Sequence, residues 1–416
     1  MAQKVNLVCI LSDQLIPNIL SVHHYNDGDK YELEHLKYFE SSAMKTKNKG
    51  CIFKQTIYSS FKEQGKRVPQ FHKNSEGKDG FDNFDIKAMT EFFYTEIKNI
   101  PSPSNKTIIN VTGGNKLMAL AASGCYRRLL KDGLDVKLIY IDIDKHASIL
   151  DLSEDAEIYE TRISHFIKID EFINASGFAI TKGEIGKTPV YFNDCRFSEC
   201  AMILAMNLPY ERAFEYDDKE REYKHGVPPK AKNTLEEMLR EGVIDAAKIN
   251  CFLSGVWLEL FMYHAFCLLS ASNVFPLDDV KIGIKVEPMC QGKQPTGNNP
   301  DEYDVVFTRK QKLYTFECKT GKHDGHKSKD FIYKMIARVQ QFQALNAIPV
   351  LATVSKSATC LPDSDKKNER VFQLAKLLRC KIMEYDRIRE LAVCINEKRN
   401  NDAAAIIKGV LGEQQN

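Results

Sequence analysis

The chain has 416 residues, a length that predicts two or three domains with enough chain for sizeable hydrophobic cores. Hydrophobic residues make up 43% of it and charged residues 27%, which are globular values and exclude a disordered chain or a fibre. The 58 Lys and Arg residues nearly balance the 56 Asp and Glu residues, and the net charge of +2 excludes a histone-like polycation.

The sequence predicts a cytoplasmic protein without a membrane span. Met1–Gln14 has no small-residue cleavage site, so we interpret it as a first strand and not as a signal peptide. The longest apolar stretch, Val256–Ala271, carries Glu259 and His264, which argues against a membrane-spanning helix. The 12 cysteines are scattered and form no CxxC motif, a distribution typical of reduced thiols in the cytoplasm.

Strand and helix signals alternate in residues 1–150. Fully apolar strands separated by helices predict a parallel sheet that is covered on both faces. The predicted strands are Val5–Leu11, Thr107–Val111 and Val136–Ile143, and the predicted helix is Lys116–Leu130. The polar stretch Asn26–Phe84 is interpreted as containing surface loops at Lys45–Gly50 and Lys73–Gly80.

Residues 151–245 are less regular and predict a connector, for which a winged-helix-like element is one interpretation. They end in a predicted helix, Asn233–Glu241, with Asn233 as N-cap and Glu236 at the third helical position. Residues 246–416 predict a mixed α/β domain. Its predicted elements are the helices Lys248–Ser270 and Phe331–Leu345 and the strands Val280–Glu287, Tyr303–Phe307, Lys312–Lys319 and Ile348–Val354.

A glycine-containing loop, Thr112–Lys116, follows a predicted strand and opens a predicted helix. Gly113 and Gly114 let backbone N–H groups approach a ligand, and the helix N-terminus adds partial positive charge, so the loop suits an anion. Its spacing matches neither GxGxxG nor GxxxxGK[ST], which argues against a dinucleotide or NTPase site. A plain glycine turn between strand and helix remains an equal alternative.

A second polar loop follows the first predicted strand. Ser12, Asp13 and Gln14 come directly after the apolar run, and Asn18 lies shortly beyond them. Ligands of doubly wound sheets lie beyond the carboxyl ends of the strands, where the strand order reverses. We therefore expect the two loops to line one crevice.

The carboxy-terminal part carries acids and a lysine in an order typical of metal-dependent nucleases. Glu317 and Lys319 project from one face of a predicted strand, and a hairpin through Thr308–Gln311 brings Asp304 near Glu317. This is the PD-(D/E)xK layout. Its carboxylates hold Mg²⁺ or Mn²⁺, which lowers the pKa of bound water and neutralises the developing oxyanion. The lysine positions the water or stabilises the transition state.

A fourth candidate, Glu259, is the sole acid on an apolar helix face. A carboxylate in such a place is costly unless it is paired or binds metal. The alternative interpretation of Glu259 is a buried ion pair with Lys285 or Arg338. For Asp304, Glu317 and Lys319 the alternative is an exposed hairpin with ordinary surface charges.

Together these motifs make the chain resemble the CRISPR ancillary nucleases. That family pairs an amino-terminal CARF domain with a carboxy-terminal PD-(D/E)xK domain and serves type III CRISPR defence. The matching motifs are Thr112-Gly113-Gly114-Asn115-Lys116, Gly255-Val256-Trp257-Leu258-Glu259, Glu302-Tyr303-Asp304 and Glu317-Cys318-Lys319-Thr320. The resemblance implies a Rossmann-like CARF domain at 1–150, a connector at 151–245 and a mixed α/β PD-(D/E)xK nuclease domain at 246–416.

The resemblance also implies an activity. A homodimer would bind a cyclic oligoadenylate, with cyclic tetra-adenylate the favoured ring, and would then cleave DNA or RNA with Mn²⁺ or Mg²⁺. The implied effector-binding residues are Ser12, Asp13, Gln14, Asn18, Thr112, Gly113, Gly114, Asn115 and Lys116. The implied catalytic residues are Glu259, Asp304, Glu317 and Lys319, of which the three acids hold the metal, with Glu302 as a helper.

Three other classes of protein compete with this interpretation. A ligand-regulated CARF transcriptional regulator would need a winged helix, which the middle segment permits, but it would lack the catalytic acids. A HEPN ribonuclease needs Arg-x₄₋₆-His, whereas Arg221 and His225 have only three residues between them. A ring nuclease that only degrades its own activator remains open.

Overall fold

The computed structural model describes residues 2–72, 85–143, 147–153, 160–181, 191, 194–208, 214–217, 222–224, 226–289, 300–320, 327–342, 347–354 and 373–413. The predicted loop Lys73–Gly80 lies outside them. The chain divides into two compact units, Met1–Phe178 and Ala179–Asn416. Both units are α/β, which confirms the predicted fold class. The cysteines within the described residues are free thiols.

The first unit is built on a seven-stranded sheet with the order β3-β2-β1-β4-β5-β6-β7. The strands β3, β2, β1, β4 and β5 run parallel, and β6 and β7 continue the sheet antiparallel. Helices cover a sheet of this kind on both faces, which is why β1 is buried from Val5 to Ile10 and β4 from Thr107 to Asn110. The strands are Gln3–Ile10, Tyr31–Phe39, Gln70–His72, Lys106–Asn110, Val136–Asp142, Ser148–Asp151 and Glu160–Arg162 for β1 to β7.

The polar stretch Asn26–Phe84 contains regular structure, so its interpretation as loops was wrong for residues 45–50. The helix Lys49–Glu63 buries Phe53, Ile57 and Phe61 at four-residue spacing while its other faces stay polar. The polar residues outnumber this buried face, so the sequence pattern was interpreted as a loop although the segment is an amphipathic helix. The helices of the first unit are Ile16–His24, Ser42–Thr46, Lys49–Glu63, Ile86–Lys98, Lys116–Lys131 and Ile169–Ala175.

The second unit is built on a six-stranded sheet with the order β15-β14-β13-β12-β11-β8. The strands β11, β12 and β13 form an antiparallel meander, whereas β13, β14 and β15 run parallel. Lys310 and Gln311 connect β12 to β13 with φ angles of 50° and 61°, as a two-residue hairpin turn requires. These strands are Phe178–Ile180 (β8), Asp279–Pro288 (β11), Asp301–Arg309 (β12), Lys312–Lys319 (β13), Ala347–Thr353 (β14) and Lys381–Met383 (β15). A separate two-stranded sheet pairs Glu215–Asp217 (β9) with Glu222–Lys224 (β10).

One predicted helix start in the second unit was wrong. The helix begins at Pro229 and not after Asn233, because proline fits the first helical turn, where its missing N–H needs no partner. Asn233 therefore lies inside the helix. The helices of this unit are Cys195–Met206, Pro229–Arg240, Ala246–Cys251, Trp257–Ala271, Lys327–Gln341, Tyr385–Asn396 and Asn400–Leu411, with a π-helical turn at Phe252–Val256.

The helical segment Ala246–Ala271 forms the centre of the second core. The most apolar 18-residue window of its 26 residues has a mean hydropathy of 1.5, so by length and composition it is the one helix of the described chain that could span a membrane. However, 61% of that window is buried inside the protein, and buried core helices pass the same test. Trp257, Phe261 and Phe266 of this helix are at most 1% exposed and pack in the core.

Candidate functional site

The hairpin of β12 and β13 brings three predicted site residues together. Val305 pairs with Phe316, so Asp304 lies opposite Glu317, one position further along. Asp304 Oδ2 accepts a hydrogen bond of 2.7 Å from the backbone N–H of Cys318. Lys319 Nζ lies 2.7 Å from Glu317 Oε1 and 4.0 Å from Asp304 Oδ2. The predicted geometry of this cluster, which we call the acid–lysine cluster, is thus present in the fold.

The fourth predicted residue, Glu259, completes the acid–lysine cluster from the core helix. The hydroxyl of Thr320, directly after β13, donates to the backbone carbonyl of Ser254 in the π-helical turn. This bond fixes the turn against the end of the strand, and Glu259 follows in the first turn of the next helix. Short π-helical turns are frequent at functional sites. Glu259 therefore lies within electrostatic reach of Asp304, the charge that acts on it most strongly.

The alternative partner proposed for Glu259, Arg338, is engaged elsewhere. Its Nε atom lies 2.9 Å from Asp301 Oδ1, so Arg338 forms an ion pair with the first residue of β12. Among the described residues, Lys285 is not one of the charges that act most strongly on Glu259. Among those same residues, the Glu259 carboxyl makes no hydrogen bond, which leaves its oxygens available to a ligand.

Burial and mutual repulsion change the acidity of the acid–lysine cluster. Burial raises the pKa of Glu259 to about 8, and the negative charge of Asp304 adds to that increase. Burial likewise raises the pKa of Asp304 to about 7, with Glu317 as the next cause. Burial lowers the pKa of Lys319, but Asp304 and Glu317 outweigh it and hold the ammonium charged. Hard oxygen donors that repel one another in this way fit a divalent cation such as Mg²⁺ or Mn²⁺.

The two predicted effector loops lie side by side in the first unit. β1 and β4 are neighbouring parallel strands, with Cys9 paired with Asn110, so both loops leave the same edge of the sheet. The strand order reverses between β1 and β4, because β2 and β3 lie on one side of β1 and β4 and β5 lie on the other. Doubly wound sheets bind ligands at such a reversal of strand order. A Cβ at Gly113 would lie 1.8 Å from the carbonyl oxygen of Ile10. Only glycine allows the loops to approach so closely.

Three polar side chains hold the loops in place, of which Asn18 and Asn110 are buried and Thr112 is half-buried. Asn18 Nδ2 donates to the carbonyl of Ile10 at 3.0 Å, and Asn110 Nδ2 donates to Asn18 Oδ1 at 3.0 Å. The Thr112 hydroxyl donates to Asn110 Oδ1 at 2.7 Å. Because Asn18 is fully buried, it positions the loops and does not face a ligand in this structure. Asn110 was not predicted as a site residue. A polar amide at the end of a buried strand was the sequence feature that could have indicated it.

The remaining loop residues lie nearer to solvent. Asn115 caps the following helix, accepting a 2.9 Å hydrogen bond from the backbone N–H of Met118, and Lys116 is exposed at the first helical position. The hydroxyl of Ser12 donates to the carbonyl of Gln14 at 3.0 Å, which shapes a tight turn. Asp13 and Gln14 are partly exposed.

Two lysines beside the first loop were missed by the sequence interpretation. Lys47 Nζ lies 2.8 Å from Asp13 Oδ1, and Lys49 Nζ donates to the Asp13 carbonyl at 3.0 Å. Both lysines follow β2, which pairs with β1 on the side opposite β4. The carboxyl end of a third strand therefore contributes residues to the edge of the sheet where the two loops lie. No sequence signal joined them to Asp13, because they lie 34 and 36 residues away in the chain.

The fold is similar to three solved structures of low sequence identity. Can2 from Sulfobacillus thermosulfidooxidans, in complex with cyclic tetra-adenylate, has a TM-score of 0.60 and 18% identity over 94% of this chain and 98% of its own. VC1899 from Vibrio cholerae has a TM-score of 0.64 and 15% identity over 96% and 98%. A type III CRISPR defence DNA nuclease activated by cyclic oligoadenylate has a TM-score of 0.52 and 11% identity over 89% and 51%. No curated protein matches the chain.

Family models match both parts of the chain. Residues 6–172 match the Card1 CARF domain, and residues 246–379 match the Card1-like endonuclease domain. An endonuclease domain at the carboxy terminus does not favour the transcriptional-regulator alternative. The chain therefore belongs to the CRISPR ancillary nucleases that join a CARF domain to a Card1-like endonuclease domain, the family that its motifs resembled.

Proposed function

We propose that this protein is a metal-dependent endonuclease of type III CRISPR defence that a cyclic oligoadenylate activates. The observation that carries the proposal is the acid–lysine cluster in a domain of the endonuclease family. The fold is similar to that of Can2, whose structure holds cyclic tetra-adenylate. This similarity supports cyclic tetra-adenylate as the activator.

The residues of the acid–lysine cluster have separate roles in this proposal. Glu259, Asp304 and Glu317 hold the cation through carboxylate oxygens, and the backbone N–H of Cys318 fixes one oxygen of Asp304. When bound, Mg²⁺ or Mn²⁺ lowers the pKa of a water ligand and neutralises charge on the phosphate. Lys319, held by Glu317, supplies positive charge beside the phosphate that is attacked. Glu302, one residue before Tyr303 on the same strand, assists from the edge of the cluster.

Binding of the ring is assigned to the first unit. We propose that Ser12, Asp13, Gln14 and the loop Thr112–Lys116 contact it, with Asn18 setting their positions. Two copies of the chain would share one ring across the axis of a homodimer, since a cyclic molecule with repeated units suits a symmetric site. The domain limits 1–150, 151–245 and 246–416 remain a proposal, while the compact units divide after Phe178.

The test is cleavage of supercoiled plasmid and of labelled RNA, each with and without cyclic tetra-adenylate and Mn²⁺. We expect cleavage that requires both additions. Asp304→Ala and Glu317→Ala should reduce the rate by at least about 100-fold, as loss of electrostatic stabilisation does, and should leave ring binding intact. The matched control is Asp301→Asn on the same strand, whose carboxylate pairs with Arg338 and which should keep nearly the full rate.

Either alanine variant cutting at the wild-type rate would show that the acid–lysine cluster is not the catalytic centre. The relative rates on plasmid and RNA decide which nucleic acid is the preferred substrate. Consumption of the ring, followed on the same samples, separates the nuclease from a ring nuclease that only degrades its activator.

A further inference from the structure

A buried polar cluster in the first unit lies outside both sites described above. Glu171 Oε1 accepts from His23 Nε2 at 2.8 Å and from the Ser60 hydroxyl, and Glu171 Oε2 lies 3.1 Å from His165 Nε2. The backbone N–H of Lys168 also donates to Oε2, at 3.2 Å. One carboxylate thus receives four hydrogen bonds, and we call this group the Glu171 cluster.

The cluster resembles a zinc ligand set, but its geometry does not suit a metal. The ligand atoms of His23, His165 and Glu171 all lie within 4.8 Å of one another, and two imidazoles with a carboxylate can bind zinc. However, the two imidazole rings are stacked, with centroids 3.5 Å apart and planes 6° from parallel. A metal bound by an imidazole nitrogen lies near the plane of its ring, and two parallel planes share no such position. Each ring instead donates to its own oxygen of Glu171.

The protonation states agree with a hydrogen-bonded cluster. Burial raises the pKa of Glu171, but hydrogen bonds from His165 and His23 outweigh burial and hold the pKa below its usual range. An ionised carboxylate only accepts hydrogen bonds, so both Nε2 atoms carry hydrogen. Burial lowers the pKa of His23 to about 4, and this ring is neutral at neutral pH. The Glu171 cluster therefore holds one buried negative charge that its neighbours satisfy.

The positions of its members link the effector loops to the end of the first unit. His23 lies in the last turn of the helix that begins at Ile16, directly after the first loop. Ser60 lies in the last turns of the helix that begins at Lys49, whose ammonium donates to Asp13 of that loop. From Lys49 to Ser60 this helix spans about 16 Å. Both helices thus run from the effector loops to the Glu171 cluster.

The other two members belong to the segment with which the first unit ends. Glu171 lies in the helix Ile169–Ala175, and His165 lies just before it. The match to the CARF family ends at residue 172, and the compact unit ends at Phe178. If this segment moves, the chain therefore moves at the point where it leaves the first unit.

We infer that Glu171 is a positioning residue that joins two effector-loop helices to the exit segment 165–175, so that ring binding at the loops is transmitted to that segment. The inference rests on the proposed function of the first unit. Packed helices transmit displacements as rigid elements, and a carboxylate bonded to both of them and to the exit segment makes the three move together. Removing its charge should uncouple the segment from the loops.

The first test needs no ring and no nuclease activity. Hydrogen–deuterium exchange is compared in the full chain for the wild type, Glu171→Gln and the control Glu63→Gln, an exposed glutamate on the Lys49–Glu63 helix. We expect Glu171→Gln to speed exchange at least about threefold in the last turns of both helices and in the exit segment. A change confined to residues 165–175 would overturn the inference. Ser60→Ala serves if Glu171→Gln does not fold, and it should affect the same three segments.

The second test measures coupling. Glu171→Gln should bind cyclic tetra-adenylate within about threefold of the wild-type affinity, yet lose at least about tenfold of its stimulation of cleavage. Full stimulation in a folded Glu171→Gln protein would also overturn the inference. A wild-type protein that neither binds nor responds to any ring would instead refute the proposed function. The exchange data would then decide by themselves whether Glu171 joins the two helices to the exit segment.

Discussion

Lys116 is the exposed cation of the second effector loop, at the first residue of a helix whose N-terminus already favours anions. Its side chain adds a full charge where the backbone supplies only a partial one. In a symmetric dimer, each substitution would remove two positive charges from around one ring.

We therefore predict that Lys116→Ala weakens binding of cyclic tetra-adenylate by about tenfold or more, which corresponds to about 1.4 kcal/mol. Isothermal titration calorimetry measures the affinity. Lys131→Ala, at the other end of the same helix, is the matched control and should bind as the wild type does. An unchanged affinity of Lys116→Ala would remove this loop from the binding site.

Glu259 makes the free energy of unfolding decrease as the pH rises, whereas a carboxyl group with a lowered pKa in the folded protein makes it increase. Its pKa in the folded protein is about 8, above the ordinary value of 4.5, so the folded state binds the proton more tightly than the unfolded chain. The stability that it contributes is complete below pH 4.5 and is lost as the pH rises towards 8.

The corresponding prediction concerns the metal-free protein in EDTA. Glu259→Gln should raise the melting temperature relative to the wild type at about pH 9 and have a smaller effect at about pH 5. Thermal unfolding followed by circular dichroism measures both. Glu237→Gln, an exposed glutamate of the same unit, should change the melting temperature little at either pH. Equal effects of Glu259→Gln at both pH values would contradict the raised pKa.

At the scale of elements, the close approach of the two effector loops depends on one glycine. A Cβ at Gly113 would meet the backbone carbonyl of Ile10 at 1.8 Å, and a backbone group cannot turn aside as a side chain can. The hydrogen bonds of Asn18 and Asn110 fix both strand ends, so the loop has little room to retreat.

Gly113→Ala should therefore lower the free energy of unfolding by about 1–3 kcal/mol, the usual cost of overpacking. Urea denaturation measures the change. Gly409→Ala offers a contrast, because its Cβ would meet nothing within 4 Å and alanine favours a helix. That variant should be stabilised by up to about 1 kcal/mol. A Gly113→Ala protein as stable as the wild type would mean that the loops separate easily.

At the scale of the whole molecule, a nuclease that attacks cellular nucleic acid must remain inactive without its signal. Shifting a two-state enzyme from 1:99 to 99:1 requires about 5.5 kcal/mol of differential binding. A ring of adenylates can supply this through several phosphates that meet helix N-termini and lysines. In the proposed dimer, the ring would favour the arrangement of subunits that closes both sites on it.

We predict that cyclic tetra-adenylate raises the cleavage rate by at least about tenfold and changes the protein's solution scattering profile. Lys116→Ala should require more ring for the same change. Equal rates with and without every ring size tested would refute the switch, and a constitutive metal-dependent nuclease would remain as the function.

Much of this protein follows from local sequence patterns. The strands β1, β4, β12 and β13 and the helix Lys116–Lys131 were predicted to within two residues at each end, because burial on one or both faces leaves a periodic apolar pattern. The approach of Asp304 to Glu317 was predictable as well, since a two-residue turn fixes the register of a hairpin. These features depend on neighbours in the chain.

The tertiary structure alone decided the contacts between distant segments. Lys49 reaches Asp13 across 36 residues, Thr320 fixes the turn before Glu259 across 66, and His23 meets Glu171 across 148. No local periodicity encodes such pairs, because they form only when whole helices and strands pack. Local patterns and motifs were thus enough to predict the family and the fold class and to propose the residues of the acid–lysine cluster. Packing decided which polar residues are buried, how their charges are satisfied and which segments they join.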